Sequence, residues 1–204
     1  MIKLYGSPKS SAGRCVWTLE EIGVPYELIG VNMQAKEHKS PEFLAINPNG
    51  KIPAMVDGDL TLFESVAITE YLAAKYKPEL LGKTIEEKAI TNQWGHWAMS
   101  ELQPPVIEIF IQKYFMPADK RDEAAIAKNF EKLPALFSVL EKKLENKKYL
   151  NGDQFTLADL NVASVAGIAH AIGYNFEGCD KVHDWVHAIA ERPAFIKYMN
   201  LRKS

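Results

Sequence analysis

Residues 47–65, NPNGKIPAMVDGDLTLFES, decide how the rest of the chain is read. Asn47-Pro48-Asn49-Gly50 is a turn cluster, and Ile52-Pro53 opens a short apolar run, Pro53 to Val56, that stops at Asp57-Gly58-Asp59. A second run, Leu60 to Phe63, follows, so the segment predicts a β-hairpin. Proline has no N–H to give a ladder and is confined to a strand's first residue or an edge. The N–H and C=O of Ile52 are therefore expected to stay unpaired by their own sheet, where an extended guest peptide could add to them. Glu64-Ser65 stands at a helix start, because Val66, Ile68, Thr69, Leu72 and Tyr76 recur at helical spacing. The free N–H groups of that helix and the Ser65 hydroxyl favour a carboxylate, and Glu64 can pair with an ammonium group. A main-chain docking rim beside an anion site points to a small acidic peptide as ligand.

Working outward, the residues before this segment alternate strand and helix: Ile2 to Tyr5, a helix from about Ser11 to Gly23, Tyr26 to Val31, and a short helix after Ser40-Pro41. The order β-α-β-α-β-β-α fits an α/β, thioredoxin-like N-terminal domain with a mixed four-stranded sheet, expected over residues 1–77. Lys77-Pro78 stops the third helix, and Gly82-Lys83-Thr84 reads as the linker. From residue 86 to 204 the signals are helical throughout and predict an all-α C-terminal domain. Ile90, Trp94, Trp97, Leu102, Val106, Ile109 and Phe110 recur at helical spacing, with Pro104-Pro105 predicting a kink or restart. Asp122 to Leu144 is amphipathic with an interruption at Pro134, and Thr156-Leu157-Ala158-Asp159 reads as a capping box flanked by a Phe155/Leu160 staple.

The chain has 204 residues, 47% of them hydrophobic and 25% charged, enough for a sizeable core in one or two domains. Its formal charge of −2 offers no basic footprint for nucleic acid and no polybasic membrane patch. MIKLYGSPKS lacks the apolar core of a signal peptide, and no run approaches the ~20 apolar residues of a membrane span, so a cytoplasmic location is expected. Cys15 and Cys179 form neither a CxxC pair nor a framework and read as free thiols in a reducing compartment. His183 and His187 share a helix face but lack the glutamate of HExxH, and there is no GxSxG, Walker-A or GxGxxG match, so no metal is expected.

The chemistry is expected in the first loop, YGSPKSSAGRC, between the first strand and the first helix, where N–H groups and the helix dipole converge. It carries Ser7, Ser10 and Ser11. A serine hydroxyl aimed at a bound thiol donates to the thiolate and stabilises the reactive form. Lowering a thiol pKa by about two units takes ~2.7 kcal/mol; a hydrogen bond to an anion supplies roughly 1.5–3 kcal/mol and a helix N-terminus about 0.3–1 kcal/mol. No ionised base is then needed. His38-Lys39 before the short second helix offers two cationic side chains that could clamp a terminal carboxylate.

NPNGKIPAMVDGDLTLFESVAITEYL resembles the glutathione-binding segment of the cytosolic glutathione transferases, and FTLADLNVAS resembles the capped core helix of their second domain. The likeness therefore spans both halves. It implies the two-domain transferase fold, with Ile52 and Pro53 pairing with the cysteinyl backbone and Glu64 and Ser65 holding the γ-glutamyl end. EHKSPEFLAINPNGKIP is similar to the phi-class segment whose His-Lys pair binds the glycine carboxylate, which assigns that role to His38 and Lys39, with Lys51 serving the same end. The spacing from Ser10 to Arg14 resembles serine-dependent insect enzymes, and Leu4-Tyr5 to Ser10 fits the phi pattern. The zeta-class Ser-Ser-Cys motif would instead select Ser11, with Ala12 in the cysteine's place. Ser10 is the first choice and Ser11 the alternative. The resemblance further implies glutathione as co-substrate, conjugation to small hydrophobic electrophiles in detoxification with accompanying peroxidase activity, and a homodimer. Tyr114 and Phe115 are the expected electrophile-pocket residues. A glutathione-dependent isomerase and a non-enzymatic partner-binding protein of the same fold are the alternatives.

Overall fold

The computed structural model describes residues 1–203, and the chain divides into two units, Met1–Leu81 joined by the residues from Glu191 onward, and Gly82–Ala190. In the first unit β1 (Ile2–Tyr5) runs parallel to β2 (Tyr26–Ile29) and antiparallel to β3 (Ala54–Asp57), and β4 (Leu60–Phe63) completes a mixed sheet of order β2-β1-β3-β4. The β1–β2 crossover is α1 (Ala12–Ile22), ended by Gly23 in the left-handed region at φ 80°. α2 (Pro41–Ile46) is capped by Ser40, whose Oγ accepts the Phe43 N–H at 3.2 Å. α3 (Ser65–Tyr76) packs against α1. Leu4, Val16, Trp17, Leu19, Met55, Ile68 and Leu72 are fully buried between sheet and helices, each contributing roughly 1.5–3 kcal/mol of burial where the chain is aliphatic.

The register fixes what lies at each end of this sheet. Tyr5 is opposite Ile29 on one side and Ala54 on the other, and Ala54 is opposite Phe63. The chain therefore leaves β1, β2 and β4, and enters β3, at a single end. The opposite end is tied down by Asp57, whose Oδ2 accepts from Tyr71 Oη at 2.9 Å, Tyr76 Oη at 3.0 Å and Lys75 Nζ at 2.6 Å.

The last helix, α10 (Pro193–Lys203), belongs to the first unit and packs on α1, which corrects the expectation that everything after residue 86 is part of the helical domain. Its contacts explain the placement. Phe195 meets Trp17 edge-on at 4.9 Å, and Arg192 reaches Glu21 with two hydrogen bonds of 2.8 and 2.7 Å. Amphipathic spacing marks a helix but does not name the surface it covers.

The second unit is helical: α4 (Ile85–Trp97), α5 (Gln103–Tyr114), α6 (Glu123–Phe130), α7 (Leu133–Leu144), α8 (Leu157–Ala171) and α9 (Asp180–Ala190). Pro104 and Pro105 cannot donate to a preceding turn, and the chain answers with a π-turn over Ala98–Leu102 and a fresh start at Gln103. Pro134 likewise sits in the first turn of α7, where its missing N–H has no partner to lose. The capping box at Thr156 is present: Asp159 Oδ2 accepts the Thr156 N–H at 3.0 Å, while Oδ1 accepts from Leu150 N at 2.8 Å and Trp185 Nε1 at 3.0 Å. Burial pushes the Asp159 carboxyl up to about 6, against the pull of these donors. No described helix is long and apolar enough to cross a membrane.

Candidate functional site

The end of the sheet where β1 stops gathers nearly all the site residues expected from sequence. The serine loop follows β1, Ile52-Pro53 precedes β3, and Glu64-Ser65 follows β4. Gly6 is the junction. It holds φ 144°, and a Cβ there would stand 2.6 Å from Ala12 Cβ and 3.5 Å from Ile52 Cβ, so only glycine lets the start of α1 close on the Ile52 loop.

The Ile52–Pro53 peptide is cis. β3 is an interior strand that begins at Ala54, so the free main chain belongs to the two residues ahead of the strand rather than to a sheet edge. Ile52 makes no backbone hydrogen bond among the described residues. The loop before it is held by Asn47, buried at 2% exposure, whose Nδ2 donates to Lys51 O at 2.6 Å and whose Oδ1 accepts the Asn49 N–H at 3.1 Å. The turn cluster is legible in the sequence, and an Asn two residues before a turn residue is the signal of such a side-chain turn.

Glu64 is exposed and holds φ 69°, a left-handed conformation that an L side chain adopts at a cost of roughly 1–3 kcal/mol. It makes no ion pair among the described residues. Ser65 opens α3, is buried, and its hydroxyl makes no hydrogen bond among those residues, while its carbonyl accepts the Cys15 thiol at 3.6 Å. Cys15 is fully buried and burial pushes its pKa up to about 12. It is a core group linking α1 to the start of α3.

Lys39 Nζ donates to Asn49 O at 3.2 Å, and a Cβ on Gly50 would be 2.7 Å from that Nζ and 2.8 Å from His38 O, so the His38-Lys39 turn lies directly on the 49–51 loop. Among the described residues His38 Nδ1 is buried without a hydrogen-bond partner, Lys51 is exposed, and neither lysine joins an ion pair with a carboxylate. The arrangement can neutralise an anion at the Lys51 side and offers N–H donors for another at Ser65.

Within the serine loop Ser10 is half-buried and Ser11 exposed. Ser10 Oγ donates to Ser7 O at 2.7 Å and accepts the Ala12 N–H at 3.2 Å; Ser11 makes no side-chain cap bond. Ser10 thus caps α1, and its hydroxyl, polarised by a helix N–H, can turn its proton from Ser7 O to an incoming anion. Tyr114 and Phe115 lie at the end of α5 in the second unit, 57% and 71% exposed, packed against Phe110 at 5.0 and 5.7 Å, with Tyr114 Oη donating to Ala171 O at 2.8 Å. No group of three or more His, Cys, Asp or Glu side chains among the described residues could hold a metal ion.

Comparison with known proteins identifies the family and the fold. The family model for the glutathione S-transferase N-terminal domain matches residues 1–74, and that for the C-terminal domain matches residues 102–193. Glutathione S-transferase 1 of Zea mays is 39% identical over 210 residues, covering 99% of this chain and 97% of the relative. The structure of glutathione S-transferase I bound with lactoylglutathione superposes with a TM-score of 0.91 at 39% identity, covering 98% of this chain and 99% of that one. Glutathione S-transferase I from maize in complex with an atrazine glutathione conjugate also gives 0.91 at 39% identity, covering 99% and 98%.

Proposed function

The chain belongs to the glutathione S-transferase family and takes glutathione as co-substrate, and we propose that it activates the tripeptide thiol through Ser10 and transfers it to small hydrophobic electrophiles. The observation that carries this reading is the convergence, at one end of the sheet, of the free Ile52 main chain, the Ser65 helix start and the Ser10 hydroxyl. Ile52 and Pro53 pair with the cysteinyl backbone, Glu64 and Ser65 take the γ-glutamyl ammonium and carboxylate, and Lys39 and Lys51, with His38, face the glycine carboxylate.

Ser10 has a hydrogen bond to give up. Exchanging a neutral bond worth about 1 kcal/mol for one to a thiolate worth roughly 1.5–3 kcal/mol leaves a net gain of about 1 kcal/mol. The α1 N-terminus adds about 0.3–1 kcal/mol. Together they lower the bound thiol's pKa by about one to one and a half units, at 1.36 kcal/mol per unit. Proximity to the electrophile supplies further acceleration. Tyr114 and Phe115, exposed aromatic faces beside Phe110, offer the apolar contact such electrophiles need. Family membership also supports a homodimer in the cytoplasm.

The test is Ser10→Ala against Ser11→Ala, with glutathione binding read by calorimetry and turnover with a halonitroaromatic. The reading expects glutathione affinity within about threefold in both, and turnover reduced about tenfold or more only in Ser10→Ala. Wild-type turnover in Ser10→Ala with loss in Ser11→Ala transfers the role to Ser11.

A further inference from the structure

The C-terminal helix reaches the serine loop through the Tyr198 hydroxyl. Tyr198, on α10 and 7% exposed, stacks on Trp17 with centroids 6.0 Å apart and planes 4° from parallel, and Phe195 packs edge-on to it at 5.9 Å. Its Oη donates to the carbonyl of Pro8 at 3.4 Å. Position 13 is shaped to this contact: a Cβ on Gly13 would stand 2.5 Å from Pro8 O and 2.6 Å from Tyr198 Oη, closer than either atom tolerates. Glycine in the first turn of a helix is intrinsically unfavourable, and here it is what lets hydroxyl and carbonyl meet across α1.

Pro8 is next to the residue on which Ser10 depends. Ser10 donates to Ser7 O through both its N–H, at 2.9 Å, and its hydroxyl, at 2.7 Å, and Ser7 Oγ accepts the Lys9 N–H at 3.2 Å. The Ser7–Pro8 peptide is thus the frame against which the Ser10 hydroxyl is aimed, and Tyr198 holds that frame from outside the loop. Burial raises the phenol's pKa, so it remains a donor across the working pH range.

We propose that Tyr198 is a positioning residue for the reaction, fixing the Ser7–Pro8 turn so that Ser10 is aimed at the thiol. The proposal rests on the reading of Ser10 given above. It predicts an effect on the protonation of the bound thiol rather than on glutathione affinity, because the hydrogen bonds of the turn run to the serine.

The decisive experiment is a double-mutant cycle of Tyr198→Phe and Ser10→Ala in the full chain, following the pH profile of kcat/KM, the KM for glutathione and Tm. Tyr198→Phe keeps the stacked ring and removes one hydroxyl. The expected result is a rise of about half a unit in the kinetic pKa and a loss of about threefold in kcat/KM near pH 6.5, with glutathione KM within about twofold. In the Ser10→Ala background the same substitution is expected to add nothing. An unmoved pH profile in Tyr198→Phe, or an equal loss with and without Ser10, would overturn the proposal and leave Tyr198 a packing residue. Full turnover in Ser10→Ala alone would instead remove the reading of Ser10 on which the proposal stands.

Discussion

Glu21, at the end of α1, accepts two parallel hydrogen bonds from the guanidinium of Arg192, 171 positions later, at 2.8 and 2.7 Å. Trp17 Nε1 donates to the same Oε1 at 3.2 Å, and Lys77 Nζ donates to the Glu21 carbonyl at 2.7 Å. One carboxylate thus joins α1 to the segment that leads into α10. Glu21 is buried and the Arg192 side chain is 26% exposed, so removing one partner strands a charge in poorly solvated surroundings. Glu21→Gln is expected to lower stability by about 2–4 kcal/mol, measured by urea denaturation. Limited proteolysis should show α10 released first; cleavage that begins elsewhere would deny the ion pair its anchoring role.

Asp57 gives the pH dependence. The hydrogen bond from Lys75, with those from Tyr71 and Tyr76, holds its carboxyl below the ordinary carboxylate value of 3.8. A carboxylate whose pKa is lower in the folded state stabilises that state above its unfolded pKa and loses the contribution as pH falls through the folded value. The Tm difference between wild type and Asp57→Asn should therefore be constant above about pH 5, at about 2–4 °C, and should close as the pH drops through 4 and below. A difference that widens in acid contradicts the assignment.

Asp159 supports the second unit from its centre. Replacement by Asn keeps the shape but turns an amide N–H toward either the Leu150 and Trp185 donors or the Thr156 donor. The amide takes the second orientation, which leaves the Thr156 N–H unsatisfied rather than two donors, a loss of about 2–3 kcal/mol. Calorimetric unfolding should register this as a Tm drop of about 5–10 °C; a drop of only one or two degrees would mean that water replaces the lost acceptor.

Glu64 separates stability from function. Its left-handed φ favours glycine, so Glu64→Gly should hold or raise Tm. Loss of a charged contact worth roughly 1.5–3 kcal/mol should raise the glutathione KM by about tenfold or more. Unchanged KM would show that the strained residue does not touch the peptide.

The parts of this molecule that were legible in the sequence were those written in local chemistry. The hairpin around Asp57-Gly58-Asp59, the restart at Pro104, the break at Pro134 and the Thr156–Asp159 cap each depend on residues within a few positions of one another. Residues on either side of β3 converge because strand register places them there, and the alternation before residue 77 already implied that sheet. Less legible was anything that pairs distant side chains. Nothing near Arg192 announces Glu21, and Tyr198 reads as one more apolar position in a helix whose target is unspecified. Ser10 was visible as a candidate, but its commitment to Ser7 O, which reduces the driving force available to a thiolate, depends on the folded turn.

The sulfur chemistry of the chain has a protective side. Cys15 is sealed in the core, where burial pushes its pKa up to about 12 and keeps it a neutral thiol, and Cys179, 5% exposed, is likewise shifted upward by burial. An alkylating agent arriving at this protein meets neither Cys15 nor Cys179 at the surface. With both of the protein's thiols buried, thiol chemistry at the surface is left to the sulfhydryl carried in by glutathione.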